Sequence, residues 1–75
     1  MAIDIKYEIK EMFGSLSEAR GDWVKEFNLI SWNGRAPKYD IREWTKDHER
    51  MGKGITLSEA EAEELYYVLK AIFDK

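Results

Sequence analysis

Apolar and polar positions alternate from residue 3 to residue 9, with Ile3, Ile5, Tyr7 and Ile9 on one side and Asp4, Lys6 and Glu8 on the other. This is the period-two pattern of a half-buried strand. The alternation blurs at Glu11, Met12 and Phe13 before Gly14, which predicts a bend or bulge, and residues 15–22 read as the end of the strand and the turn of a hairpin. Residues 23–32 are rich in aromatic and β-branched types and lie between Gly21-Asp22 and Asn33-Gly34, predicting a second strand. Asn33-Gly34 is the strongest short turn signal in the chain, because both residues tolerate positive φ, and Pro37 cannot donate to a ladder and so keeps 33–37 in the connection. A third strand is predicted over 39–44. Tyr39 and Ile41 share one of its faces; Asp40, Arg42 and Trp44 share the other, which the pattern assigns to solvent as a surface carrying a cation beside an indole. Residues 45–51 are charged and turn-like, and residues 52–57 form a short fourth strand entered through two glycines that flank Lys53.

Ser58 opens the one helix. Ser58 and Glu61 have the spacing of a capping box, and Glu59, Glu61, Glu63 and Glu64 suit the positive end of the helix dipole. Ala62, Leu65, Tyr66, Leu69, Ile72 and Phe73 follow the spacing of an apolar stripe packed on a sheet. Tyr67, Val68 and Ala71 widen the stripe beyond what one small sheet covers, which is what a helix shared with a second subunit would show. The order β-β-β-β-α predicts an α+β fold, a four-stranded antiparallel sheet followed by one C-terminal helix, in a single domain spanning residues 1–75.

Length sharpens this expectation. A chain of 75 residues buries only roughly 60% of the surface its unfolded form exposes, so its core calls for reinforcement. No cysteine is present, which excludes disulfides, and the single histidine, His48, falls far short of the four Cys/His ligands of a structural zinc site. Oligomerisation remains, and a homodimer is expected. No apolar run approaches the roughly 20 residues of a membrane-spanning helix, and the N-terminus lacks the positive-then-apolar pattern of a signal peptide, so a soluble cytoplasmic protein is expected.

The net charge of −3 argues at first against a polyanionic partner, but the charge is unevenly distributed. Residues 20–54 hold eight Lys/Arg against six acids, whereas the flanking segments hold four against nine. Little in the inventory supports catalysis: His48 is the only imidazole and lies in a charged turn, and the acidic cluster at the helix start is explained by capping. Gly52-Lys53-Gly54 lacks the glycine spacing and the strand-to-helix context of a nucleotide-binding loop. What remains is Trp23, Trp32 and Trp44 interleaved with Lys25, Arg35, Lys38, Arg42 and Lys53 on strands and turns. Unpaired bases stack on aromatic side chains while cations track the phosphates, so this combination matches single-stranded nucleic acid. The competing assignment for the tryptophans is the core, and for Trp23 the two are evenly balanced.

Residues 31–44 (Ser-Trp-Asn-Gly-Arg-Ala-Pro-Lys-Tyr-Asp-Ile-Arg-Glu-Trp), followed by Met51-Gly52-Lys53-Gly54-Ile55-Thr56-Leu57-Ser58, resemble the positive cofactor four-type (p15) transcriptional coactivators, closest to their compact bacterial members. The similarity runs over residues 23–75 and is weaker for 1–22. It implies a curved four-stranded sheet, a homodimer joined partly through the helices, here Leu65, Tyr66, Leu69, Ile72 and Phe73, and a β-surface that binds single-stranded DNA with little sequence preference. Trp32 matches an exposed aromatic at the second hairpin, Arg42 the arginine of Asp-Ile-Arg-Glu, and Lys53 the lysine before Gly-Ile, while Trp44 falls at or beside an aromatic position that stacks on bases. Asn33-Gly34-Arg35 replaces the Lys-Gly-Lys turn of eukaryotic members, and about one extra residue lies near Ala36-Pro37. The expectation is a nucleoid-associated, non-enzymatic homodimer that binds single-stranded DNA, or RNA, without cofactor, metal or small-molecule substrate. The alternative is a protein-interaction or structural dimer module.

Overall fold

The computed structural model describes residues 5–74. Four strands, β1 (Tyr7–Ser15), β2 (Trp23–Trp32), β3 (Lys38–Thr45) and β4 (Met51–Leu57), form an antiparallel meander in the order β1-β2-β3-β4, and α1 (Glu59–Phe73) follows. β2 was delimited to the residue by its turn signals. The first strand starts later than expected, since Ile5 precedes β1 and is exposed while Ile3 and Asp4 lie outside the described residues, and it ends as expected by running on to Ser15. It does so through two register shifts against β2, one between Ile9 and Glu11 and one between Met12 and Gly14. Each extra residue resets the alternation and increases the local twist, which is why the pattern blurred there.

The turns follow their sequence signals. Asn33 and Gly34 both have positive φ, 52° and 74°, and the Arg35 amide donates to the Trp32 carbonyl at 2.9 Å. Asn33 also ties the turn to the chain before β1, its amide donating to Lys6 O (2.7 Å) and its Oδ1 accepting from Lys6 N (3.1 Å). At the other end of β2, Arg20 and Trp23 exchange backbone hydrogen bonds of 2.8 and 3.1 Å around Gly21-Asp22.

The sheet is strongly coiled. Trp32 and Val24 lie eight residues apart on β2, yet the Tyr7 ring lies 6.1 Å from Trp32, its partner across β1–β2, and 5.2 Å from Trp44, the partner of Val24 across β2–β3. The face carrying Tyr7, Ile30, Trp32, Asp40, Arg42 and Trp44 therefore closes on itself. Its closure is completed by the 46–49 turn, whose His48 carbonyl accepts from Tyr7 Oη at 2.7 Å and whose His48 Nε2 lies 2.8 Å from Glu26 Oε1. This inner face is the core: Ile30, Trp44, Asn28 and Asp40 are fully buried. The expectation of a solvent-facing Asp40/Arg42/Trp44 surface is thus reversed, because coiling encloses that side of β3.

The helix corrects a second expectation. Ser58 caps it as predicted, with Glu61 N donating to Ser58 Oγ at 3.1 Å and Ser58 N donating to Glu61 Oε1 at 2.8 Å. None of its residues is buried, however, and Phe73 remains 78% exposed. The helix leaves the sheet after its first turns, so the apolar stripe predicted to pack on the sheet is unpartnered within the chain. Only its start meets the outer face, where Ala62 and Tyr66 border a groove with Phe27 and Tyr39.

Candidate nucleic-acid interface

On the inner face, Asp40 and Arg42 project from the same side of β3, two residues apart. Arg42 Nε and Nη2 donate to the two oxygens of Asp40 at 2.9 and 3.1 Å, and Nη1 donates to Gly52 O at 3.1 Å. Thr56 Oγ1 donates to Asp40 Oδ2 at 3.0 Å, so the buried carboxylate is satisfied from β3 and β4 together. A bidentate guanidinium–carboxylate pair has a fixed orientation. Here it places the Arg42 guanidinium 5.0 Å from the centroid of the Trp32 ring, which is half-buried at the end of β2. Exposed Arg35 and Lys38 lie just beyond Trp32 in the connection to β3 and at its first residue. β4 approaches β3 closely at Gly54, the cross-strand partner of Arg42, where a Cβ would overlap Arg42 Cβ and the Ile41 carbonyl oxygen.

The outer face carries a second indole–guanidinium pair. Trp23 is half-buried, its ring lies over the backbone of Gly52, and the Arg50 guanidinium is 5.7 Å from its centroid. Trp23 lines an open groove of about 230 Å³ with Arg20, Glu43 and Gly52. A neighbouring groove of about 420 Å³ shares Arg20 and Glu43 and adds Lys25 and residues 17–19. The 46–49 turn sets Arg50 in place: Asp47 Oδ1 accepts from Glu49 N at 3.0 Å and from Thr45 Oγ1 at 2.7 Å, and these bonds hold the Asp47 carboxyl below its ordinary range. Among the described residues, Arg20, Lys25, Arg35, Lys38, Arg50 and Lys53 form no ion pair, whereas Arg42 does.

Residues 20–67, which contain both indole–guanidinium pairs, match the family model described as Transcriptional Coactivator p15 (PC4). An uncharacterized protein of Treponema pallidum (strain Nichols) is 50% identical over 58 residues, covering 77% of this chain and 68% of the relative. The chain belongs to the transcriptional coactivator p15 (PC4) family. PC4 domains are non-enzymatic, single-stranded-DNA-binding coactivator domains. The match omits all of β1 and the end of the helix. No helix among the described residues is long and apolar enough to cross a membrane.

Within this PC4 domain the eight residues singled out from sequence separate into groups. Trp32, Arg42 and Trp44 are on the inner face, with Arg35 and Lys38 at its rim; Trp23 and Lys25 are on the outer face; Lys53 is exposed on β4 beside Gly52. Trp44 is corrected to a core residue, with no exposure and its ring against Tyr7 (5.2 Å) and His48 (5.7 Å), so it offers no face to a base. Arg20 and Arg50 were counted in the cationic middle of the chain but not placed beside a tryptophan. Only the Gly21-Asp22 turn hinted at Arg20, and nothing local pointed to Arg50, whose partner is 27 residues away.

Proposed function

We propose that this protein is a homodimer that binds single-stranded DNA without strong sequence preference, using Trp32 and Trp23 as stacking positions. Arg35, Lys38, Lys25 and Lys53, joined by Arg20 and Arg50, contact phosphates. The observation that carries the reading is the pairing of two partly exposed indoles with guanidinium groups, each within a set of cations unpaired among the described residues, in a chain of net charge −3. Base stacking needs an accessible aromatic ring and phosphate tracking needs cations free of ion pairs, and the half-buried indoles with Arg20, Lys25, Arg35, Lys38, Arg50 and Lys53 support both requirements. Dimerisation through Leu65, Tyr66, Leu69, Ile72 and Phe73 would cover the helix face that the sheet leaves bare. The role is to occupy single strands exposed in transcription, replication or repair, in the cytoplasm and at the nucleoid, with no substrate turned over.

Titration with a fluorescent oligothymidine over a range of salt tests this. Affinity should fall with a log–log slope of about −0.7 for each phosphate contacted, and a duplex of equal length should bind more weakly, since its base faces are hidden. An RNA oligomer should bind comparably unless the surface senses the 2′-hydroxyl, and titrating it beside the DNA distinguishes the two. Equal affinity for the duplex would remove the stacking argument. Absence of oligothymidine binding would leave the protein-interaction dimer as the better reading.

A further inference from the structure

The Arg42 guanidinium is engaged inside the protein. Three of its five N–H groups are bound to Asp40 and Gly52, and its side chain is 15% exposed against 0% for Asp40. Its partner on β2 is another acid, Glu26, itself held by His48. A cation compensated this closely has little field left for a phosphate, whereas exposed Arg35, Lys38 and Lys53 form no ion pair among the described residues. What Arg42 does present is a guanidinium held 5.0 Å from the Trp32 centroid by a bidentate pair with the fully buried Asp40 carboxylate.

Resting on the single-stranded DNA reading, we infer that Arg42 is not a phosphate contact but the fixed backing of a stacking platform, with Asp40 and Thr56 as positioning residues that hold the guanidinium behind the Trp32 indole. The gain is preorganisation: an indole already fixed in orientation loses less freedom when a base stacks on it. A lysine at position 42 would keep the charge but lose the plane and the bidentate fork.

The test is an oligothymidine titration at several salt concentrations with the parent, Arg42→Lys, Trp32→Ala, the double variant Trp32→Ala/Arg42→Lys, and the neutral pair Asp40→Asn/Arg42→Gln, each checked for native circular dichroism. Arg42→Lys should bind roughly three- to tenfold more weakly, the size of a lost cation–π contact, with the parental salt slope. That loss should vanish in the Trp32→Ala background, because the lysine then has no indole to back. The neutral pair should keep the parental slope. Parental affinity for Arg42→Lys, or a loss that persists without Trp32, would overturn the platform, as would a slope flattened by about 0.7 in the neutral pair. If the neutral pair does not fold, the Arg42→Lys and Trp32→Ala cycle alone decides. Failure of the parent to bind, or parental affinity in Trp32→Ala, would instead defeat the single-stranded DNA reading of this surface.

Discussion

A methyl group at Gly54 would overlap Arg42 Cβ and the Ile41 carbonyl oxygen, both held by β3 and neither free to retreat. Gly54→Ala should therefore push β4 away from β3, at a cost on the order of 1–3 kcal/mol, as an inserted methyl that forces a backbone shift does, and lower the urea midpoint. Gly14 has no atom within 4 Å of the equivalent position, so Gly14→Ala is the control and should leave the midpoint nearly unchanged. The tryptophans divide in the same way. Trp44→Ala should destabilise by about 3–5 kcal/mol, the usual cost of truncating a buried aromatic, seen in chemical denaturation before any binding is measured. Trp32→Ala should leave the fold largely intact and cost about 1–3 kcal/mol per stacked base in oligothymidine binding. Their order in the sequence does not distinguish them: both stand at strand positions beside cations, and only coiling puts one inside.

The helix shows how an element can be fully legible while its packing is not. Its start was read from Ser58 and Glu61 because capping is local chemistry, settled within four residues. Ser58→Ala should cost about 1 kcal/mol, measured as a fall in thermal midpoint. The Glu61 carboxyl is held below its ordinary range by the Ser58 backbone N–H first and the Ser58 hydroxyl second, with Lys38 adding a smaller electrostatic contribution. A pKa depressed in the folded state contributes stability that is present above the unfolded-state value and is lost as pH falls through the folded one. The thermal midpoint of Glu61→Ala should accordingly lie below that of the parent at neutral pH, and the gap should close on acidification below the ordinary carboxylate range. A gap independent of pH would mean that the Glu61 charge contributes nothing. The apolar stripe was equally legible, but periodicity reports that a face is apolar and not what covers it.

At the scale of the molecule, an elongated chain of 50 × 31 × 20 Å with a helix that buries none of its residues leaves Tyr66, Tyr67, Val68, Leu69, Ile72 and Phe73 facing outward. Exposed apolar surface of this extent marks an association site. Sedimentation at micromolar concentration should give about twice the 8.9 kDa chain mass, and Leu69→Glu or Phe73→Glu should return the mass to that of one chain. The same variants should melt earlier and with less dependence on concentration, since folding and association are linked. A parental mass of one chain at every concentration would contradict the dimer.

The sequence by itself determined the elements: the bounds of β2, the Asn33-Gly34 turn, the capped start of α1 and the order of four strands and one helix, all of which follow from backbone preferences and hydrogen bonds between near neighbours. It also carried the family motifs and most of the unpaired cations. Tertiary structure decided which side of β3 is inside. Strict alternation distinguishes two faces of a strand but is silent on which one the sheet closes around, and in this chain the aromatic and charged face, with Asp40, Arg42 and Trp44, became the core. The bulges after Ile9 and Met12 and the coil of the sheet bring Tyr7 within reach of Trp44, 37 residues away in sequence, and a compensated Asp40–Arg42 pair makes that polar interior tolerable. The Arg50–Trp23 contact has the same origin, because a pairing between residues far apart in sequence exists only once the strands between them have registered.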